Sequence, residues 1–250
     1  MGSGGSARQL PCAGPPADSL TIEGGGALCA ESHDMMYDDI YTEAPAAADT
    51  IANLGPLAPL AGTWYGDDGV DTHPEAEGPV AEPYHETWTF EPIDAQNNGP
   101  QVFYGLRYRV YITKPAERKA FHDQVGYLLW EPETGRIYMT LAIPRGQIAM
   151  AMGEAKPGDK ELHLQAVAGS DVNGICSNPF LNEAFLTKQW DVTFKFHPDG
   201  TFSYEQDTLL EIPGVKGTFH HTDTNTLHMI YPPAPNPAMI DEGLMNKNPR

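Results

Sequence analysis

Positive charge is what this 250-residue sequence has least of: 15 Lys and Arg stand against 34 Asp and Glu, for a net charge of −19. A chain so acidic is repelled by nucleic acid and by anionic membrane surfaces, so neither is expected as a partner. Long apolar runs are missing as well. No stretch of about 18 apolar residues occurs, which leaves no transmembrane helix to expect. Cysteine is scarce: Cys12, Cys29 and Cys176 make an odd, irregularly spaced set, which suits a reducing compartment better than a disulfide framework. The N-terminus shows no charged region followed by an apolar one, so no secretory signal is expected and the reading is cytoplasmic. Met-Gly-Ser-Gly-Gly-Ser matches the loose myristoylation pattern through Gly2 and Ser6, but a Gly/Ser-rich start reads first as a flexible tail. Zinc spacings, nucleotide loops and Ser-His-Asp motifs are lacking.

What is present is aromatic: four Trp, eleven Tyr and nine Phe suffice for a core, while 23 Pro keep that core from running through the whole chain. Residues 1 to 50 are rich in Gly, Ala, Pro, Ser and acids without an apolar period, and read as a mostly disordered leader. The stretch from Pro232 to Arg250 cannot hold a sheet, because proline deletes ladder donors, and reads as a flexible tail. The folded unit is then a single domain over 51–231.

Within it the pattern is nearly all strand. Tyr84 to Glu91 alternates, as does Val102 to Thr113, and Val125–Trp130 and Ile137–Ile143 flank a Pro/Gly hairpin loop, EPETGR. Strands follow at Gln147–Met152, Leu162–Val167, Trp190–Phe196, Thr201–Gln206 and within Gly217–Tyr231. About ten short strands in meander order imply an all-β fold, a single antiparallel up-and-down barrel without exposed edges. A two-sheet sandwich is the alternative. Ser170 to Phe185 reads as an irregular insertion placed to cover a barrel mouth.

The stretch that organises the chain is Leu57 to Gly69, LAPLAGTWYGDDG. Leu54, Leu57 and Leu60 recur at helical spacing and suggest a turn that closes one barrel end; Gly62-Thr63-Trp64-Tyr65-Gly66 then reads as the first strand, with Trp64 wide enough to plug the barrel floor. This stretch, with the acidic-aromatic YHETWTFEPI and a last strand ending LHMIY, resembles the nitrobindin family over most of residues 54 to 231. The family signature G-x-W-x-G-x-G is met by Gly62, Trp64 and Gly66, with Asp68 at the last glycine and Gly69 one step late. The resemblance implies a barrel shaped like the fatty-acid-binding proteins, a ferric haem b held by one histidine, nitric oxide binding, and isomerisation of peroxynitrite to nitrate.

The family's proximal histidine directly precedes a leucine of the last strand; here that position is Thr226, before Leu227. The ligand is therefore ranked from the residues themselves. Strand side chains alternate between faces. Phe219, His221, Asp223, Asn225, Leu227, Met229 and Tyr231 share the face suited to a cavity, and His228 falls on the threonine-rich face. His221 is the expected metal ligand or catalytic base, with Asp223 on its second ring nitrogen; a bulge would bring in His228 instead. The bland alternative is a polar network that satisfies itself. Trp64, His122, Arg145 and Asn225 complete the expected ligand site. His122 is either a cavity-mouth base or an exposed turn residue, and Arg145 either meets an anion or pairs with local acids. Arg107 and Arg109 are the Arg/Tyr pattern of a fatty-acid carrier or plain surface cations, and His73, His197 and His220 read as surface or loop residues. Three functions stay open: a haem-dependent peroxynitrite isomerase, a haem-free carrier of a small hydrophobic acid, and a haem-free enzyme using His221 and Asp223.

Overall fold

The structure, a computed structural model, describes residues 39–240. Its first ordered elements are a short helix, α1 (Thr50–Asn53), capped by the Asp49 side chain, and a 3-10 turn over Gly55–Leu60. Leu54, Leu57 and Leu60 are fully buried, so their helical spacing does close one end of the fold. Then come β1 (Gly62–Glu75), β2 (Gly78–Pro92), β3 (Gln96–Asn98), β4 (Gln101–Thr113), β5 (Ala120–Glu131), β6 (Arg136–Ile143) and β7 (Gln147–Glu154). The second half holds β8 (Glu161–Val167), β9 (Ile175–Ser177), α2 (Pro179–Ala184), β10 (Leu186–Phe196), β11 (Phe202–Glu211) and β12 (Phe219–Tyr231).

Each strand pairs antiparallel with its neighbour, β1 also pairs with β12, and β2 pairs with β4. Among the described residues, ten strands therefore close into one antiparallel barrel, with β3 added beside β4 and β9 beside β7. Closure leaves the ten barrel strands no free edge. The sequence pattern located every one of these ten, and the structure lengthens several of them, β1 above all. It departs from expectation at the two short strands and two short helices, which apolar alternation does not mark.

Inside the barrel one end is filled. Trp64, Trp88, Phe90, Phe194 and Phe202 are buried together, and Trp64 meets Phe202 edge to face at 4.9 Å. The Trp64 indole N–H donates to the Leu60 carbonyl at 2.8 Å, which ties the floor to the closing turn. The odd spacing of the signature glycines also has a cause here. The β1–β2 register slips between Gly66 and Gly69, and this bulge moves the second close approach one residue along. A Cβ on Gly69 would strike the Tyr84 ring, and one on Gly66 would lie 2.7 Å from the Asn225 amide nitrogen. Glycine is required where these two side chains cross under the strand.

The described structure reaches past both expected boundaries. Asn236 is fully buried; its side chain accepts from the Thr50 N–H at 3.1 Å and donates to the Ala48 carbonyl at 2.8 Å and to Asp94 at 2.7 Å. The segments before Ile51 and after Tyr231 are thus clasped together beside the barrel. The leader's first 38 residues, with the myristoylation pattern, Cys12 and Cys29, and the tail from residue 241, lie outside the described residues. None of the described helices is long and apolar enough to cross a membrane.

Two substitutions test this account by guanidinium unfolding. Trp64→Ala is expected to cost about 3–5 kcal/mol, as for large aromatics removed from a packed core. Asn236→Ala is expected to cost about 1–3 kcal/mol by orphaning buried polar groups. A loss under about 0.5 kcal/mol for Asn236→Ala would show that the clasp carries no stability.

Candidate functional site

Above the aromatic floor the barrel keeps a cavity of about 550 Å3. Its wall is mostly apolar, from Trp88, Val110, Ile112, Phe121, Leu141, Ile143, Trp190 and Leu210, and α2 brings Phe180 and Leu181 to its rim. The irregular insertion therefore sits where a mouth cover was expected. A larger hollow of about 720 Å3 lies outside the barrel along β5, β6 and β7, but its lining offers no convergent set of polar groups. The interior cavity is the site.

Polar groups gather on one side of it, built by β1, β12 and β11. Asp71 stands directly opposite Asp223 in the β1–β12 pairing, and Asp223 stands opposite Gln206 in the β11–β12 pairing. His221 faces the same cavity one pleat away. Its Nε2 donates to Asp71 Oδ1 at 2.8 Å, while Asp71 Oδ2 accepts from His73 Nδ1 at 2.9 Å. Gln206 donates to Asp223 Oδ2 at 2.8 Å. The residue expected to orient His221 was Asp223; the structure gives that contact to Asp71, whose partner is 150 residues away in sequence. His73, expected on the surface, is a half-buried member of the same cluster.

Electrostatics separates the two cavity imidazoles. For His221, burial opposes the charged form, yet the hydrogen bond to Asp71 and the charges of Asp223 and Asp71 outweigh it, raising the pKa above the ordinary 6.5. For His122, on β5, burial dominates and the Arg145 and His221 charges add to it, so the pKa is lowered despite Gln124. Its Nε2 lies 3.2 Å from Gln124 Oε1. Asp223 is pushed up to about 6 by burial and the neighbouring Asp71 charge, against the pull of His221. One imidazole favours its charged form and the other its neutral form, across a single cavity.

The other expected residues fall in different places. Arg145 sits in the β6–β7 turn at the rim; its guanidinium donates to the Phe121 carbonyl at 2.6 Å, and its own carbonyl accepts from Asn178 at 2.6 Å. Trp64 and Asn225 do not line the cavity. Trp64 belongs to the floor, and Asn225 donates to Glu86 Oε1 at 2.8 Å. His228 and Thr226 are exposed on the outer face of β12, as strand alternation requires. Arg107 and Arg109 are exposed too, paired with Glu91 and Asp123 at 2.8 and 2.7 Å, so the carboxylate-carrier pattern is a surface one here.

Sequence reading missed Glu86, a carboxylate buried between floor and cavity. It accepts from Trp88 Nε1 at 2.6 Å, Asn225 Nδ2 at 2.8 Å and Tyr204 Oη at 3.0 Å, and the Tyr204 hydroxyl lies 2.6 Å from that of Tyr84. The signal available was parity: Glu86 shares a face with Tyr84, Trp88 and Phe90 in YHETWTF. Burial pushes its pKa from 4.5 up to about 7, with the three donors pulling the other way. The folded state thus holds a proton that the unfolded chain releases above pH 4.5, so this contribution to stability is present at low pH and is lost as pH rises through 7. Glu86→Gln is expected to flatten the fall in stability between those two pH values. An unaltered pH profile in the variant would show that Glu86 is not the titrating group.

Among curated protein sequences none matches the chain. The crystal structure of Rv2717c from M. tuberculosis superposes with a TM-score of 0.51 at 23% identity, covering 74% of this chain and 99% of that one; at that identity the likeness is one of fold. The model of the THAP4-like, heme-binding beta-barrel domain matches residues 53–229, the whole barrel up to the last residues of β12, and the protein belongs to that haem-binding family.

Proposed function

We propose that the barrel binds haem in the interior cavity, with His221 as the protein's ligand to iron. The observation that carries this reading is His221 itself: an inward imidazole on the last strand, one ring nitrogen held by a buried carboxylate, in a largely apolar cavity of about 550 Å3. That volume lies within the usual range for cofactor pockets. A carboxylate on one ring nitrogen orients the imidazole and makes the other nitrogen a better metal donor. Arg145 lines the same cavity and can meet a carboxylate group of a bound ligand, whereas Lys114, also on the lining, is paired with Glu82. Thr226, at the family's ligand position, is exposed and has no nitrogen donor, so the ligand role moves five residues up the strand.

Bound haem would supply a ferric iron for the nitric oxide and peroxynitrite chemistry that the family resemblance implies. The chain's own part is different. Trp88, Phe121 and Trp190 give the cavity an apolar wall, Asp71 and His73 fix His221, and neutral His122 offers a nitrogen to a polar ligand. Free, exposed Cys176 fits a reducing compartment, in line with a cytoplasmic protein. A haem-free cavity would instead suit a small apolar acid, and the reason is Arg145 at the rim.

Haem titration of the purified protein separates these readings. A Soret band is expected in the wild type, lost in His221→Ala and nearly intact in His228→Ala. Iron must displace the imidazolium proton on the ring nitrogen not bonded to Asp71, and the Asp71 and Asp223 charges favour that charged form, so haem affinity is expected to fall as pH drops through the raised His221 pKa. No Soret band at any pH, with saturable uptake of a fluorescent fatty acid, would replace haem binding by the carrier reading.

A further inference from the structure

We propose that in the haem-free chain His221, Asp71 and Asp223 bind a single borderline divalent cation of the first transition row, of the Mn(II), Fe(II) or Zn(II) kind. Each of the three offers one donor atom, and these atoms lie within 4.8 Å of one another. The closest pair, His221 Nε2 and Asp71 Oδ1, is 2.8 Å apart. Two cis ligands with bonds of about 2.1 Å to one ion stand about 3 Å apart, so this pair needs little movement.

The atoms that would not touch the ion are already held. Asp71 Oδ2 accepts from His73, and Asp223 Oδ2 accepts from Gln206. Asp71 Oδ1 and Asp223 Oδ1 are thereby left to turn toward His221, and among the described residues no group donates to Asp223 Oδ1. Outer partners on each carboxylate are what a metal site requires to keep its ligands in place. The three residues rest on adjacent strands of a closed barrel, with Asp71 and Asp223 directly cross-strand, so their backbones are held in place and only side chains need to turn. One imidazole with two carboxylates suits Mn, Fe or Zn better than Ca or Mg, which take oxygen alone. All three residues line the cavity, so the remaining coordination positions open onto it and Arg145 borders the same space. A cation there, with a ligand's anionic group on its open side, is the arrangement of a catalytic rather than a structural metal site.

The proposal does not rest on haem binding. The two occupants exclude each other, because both take His221.

The test uses the full-length, haem-free protein and MnCl2, read by the loss of the free-ion EPR signal, with ZnCl2 calorimetry beside it. Roughly one equivalent is expected to bind at a salt concentration high enough to screen the acidic surface. Asp71→Asn and Asp223→Asn are expected to weaken binding about tenfold or more, whereas Asp123→Asn, on the outer wall, should leave it unchanged. In the wild type, Mn(II) should broaden the amide resonances around residues 71 and 221–223 before any others, a readout that stands even if a variant fails to fold. Equal binding by wild type and both cavity variants, broadening spread over the surface, or no stoichiometric uptake would each overturn the site. The outcome is independent of any Soret band, so failure of the haem reading and failure of this one can be told apart.

Discussion

Closure of the sheet through the β1–β12 pairing is the constraint on which the rest depends. It joins the first barrel strand to the last, removes both open edges, and encloses the space that becomes core at one end and cavity at the other. The same pairing sets Asp71 across from Asp223 and brings His221 to Asp71, so the ladder that completes the barrel also completes the polar cluster. The clasp of Asn236 onto Thr50, Ala48 and Asp94 brings together the chain on either side of those two strands, where a barrel would otherwise fray.

The interior divides by size and polarity. Aromatic side chains from β1, β2, β10 and β11 fill the floor, and Trp88 is shared between that floor and the cavity wall. Glu86 lies at the boundary, where its three donors compensate a carboxylate that burial alone would make very costly. Buried networks of this kind stabilise only when each member is satisfied, and here Trp88, Tyr204 and Asn225 satisfy both oxygens of one group. On the polar side of the cavity, Asp71 and Asp223 stand cross-strand and repel each other, and the His221 imidazole bonded to Asp71 offsets that repulsion. His221 is therefore part of the structure as well as of the site.

An outward Thr226 provides nothing to the cavity, while the inward His221, Asp223 and Asn225 gather polar groups at and beneath its wall. The haem and the divalent cation proposed above both rest on the same feature, an inward imidazole backed by a carboxylate.

The sequence by itself marked the ten barrel strands and the direction of the β12 side chains, while closure into a barrel rather than a sandwich came with the β1–β12 pairing. Strands and directions depend on local rules: alternation with period two, turn residues between runs, and a pleat that sends His221 inward and His228 outward. Leu54, Leu57 and Leu60 were legible for the same reason. Only the tertiary structure decided which partners those side chains meet. Asp71 and His221 are 150 residues apart, and Glu86 and Asn225 139, so no spacing in the chain marks either pair. Their meeting follows from strand register, and register in β1 is set by the bulge between Gly66 and Gly69, which shifts Asp71 relative to the signature that precedes it. Charge states were out of reach for a related reason: burial and neighbouring charge push His122 and His221 in opposite directions, and both causes exist only once the barrel has closed around them.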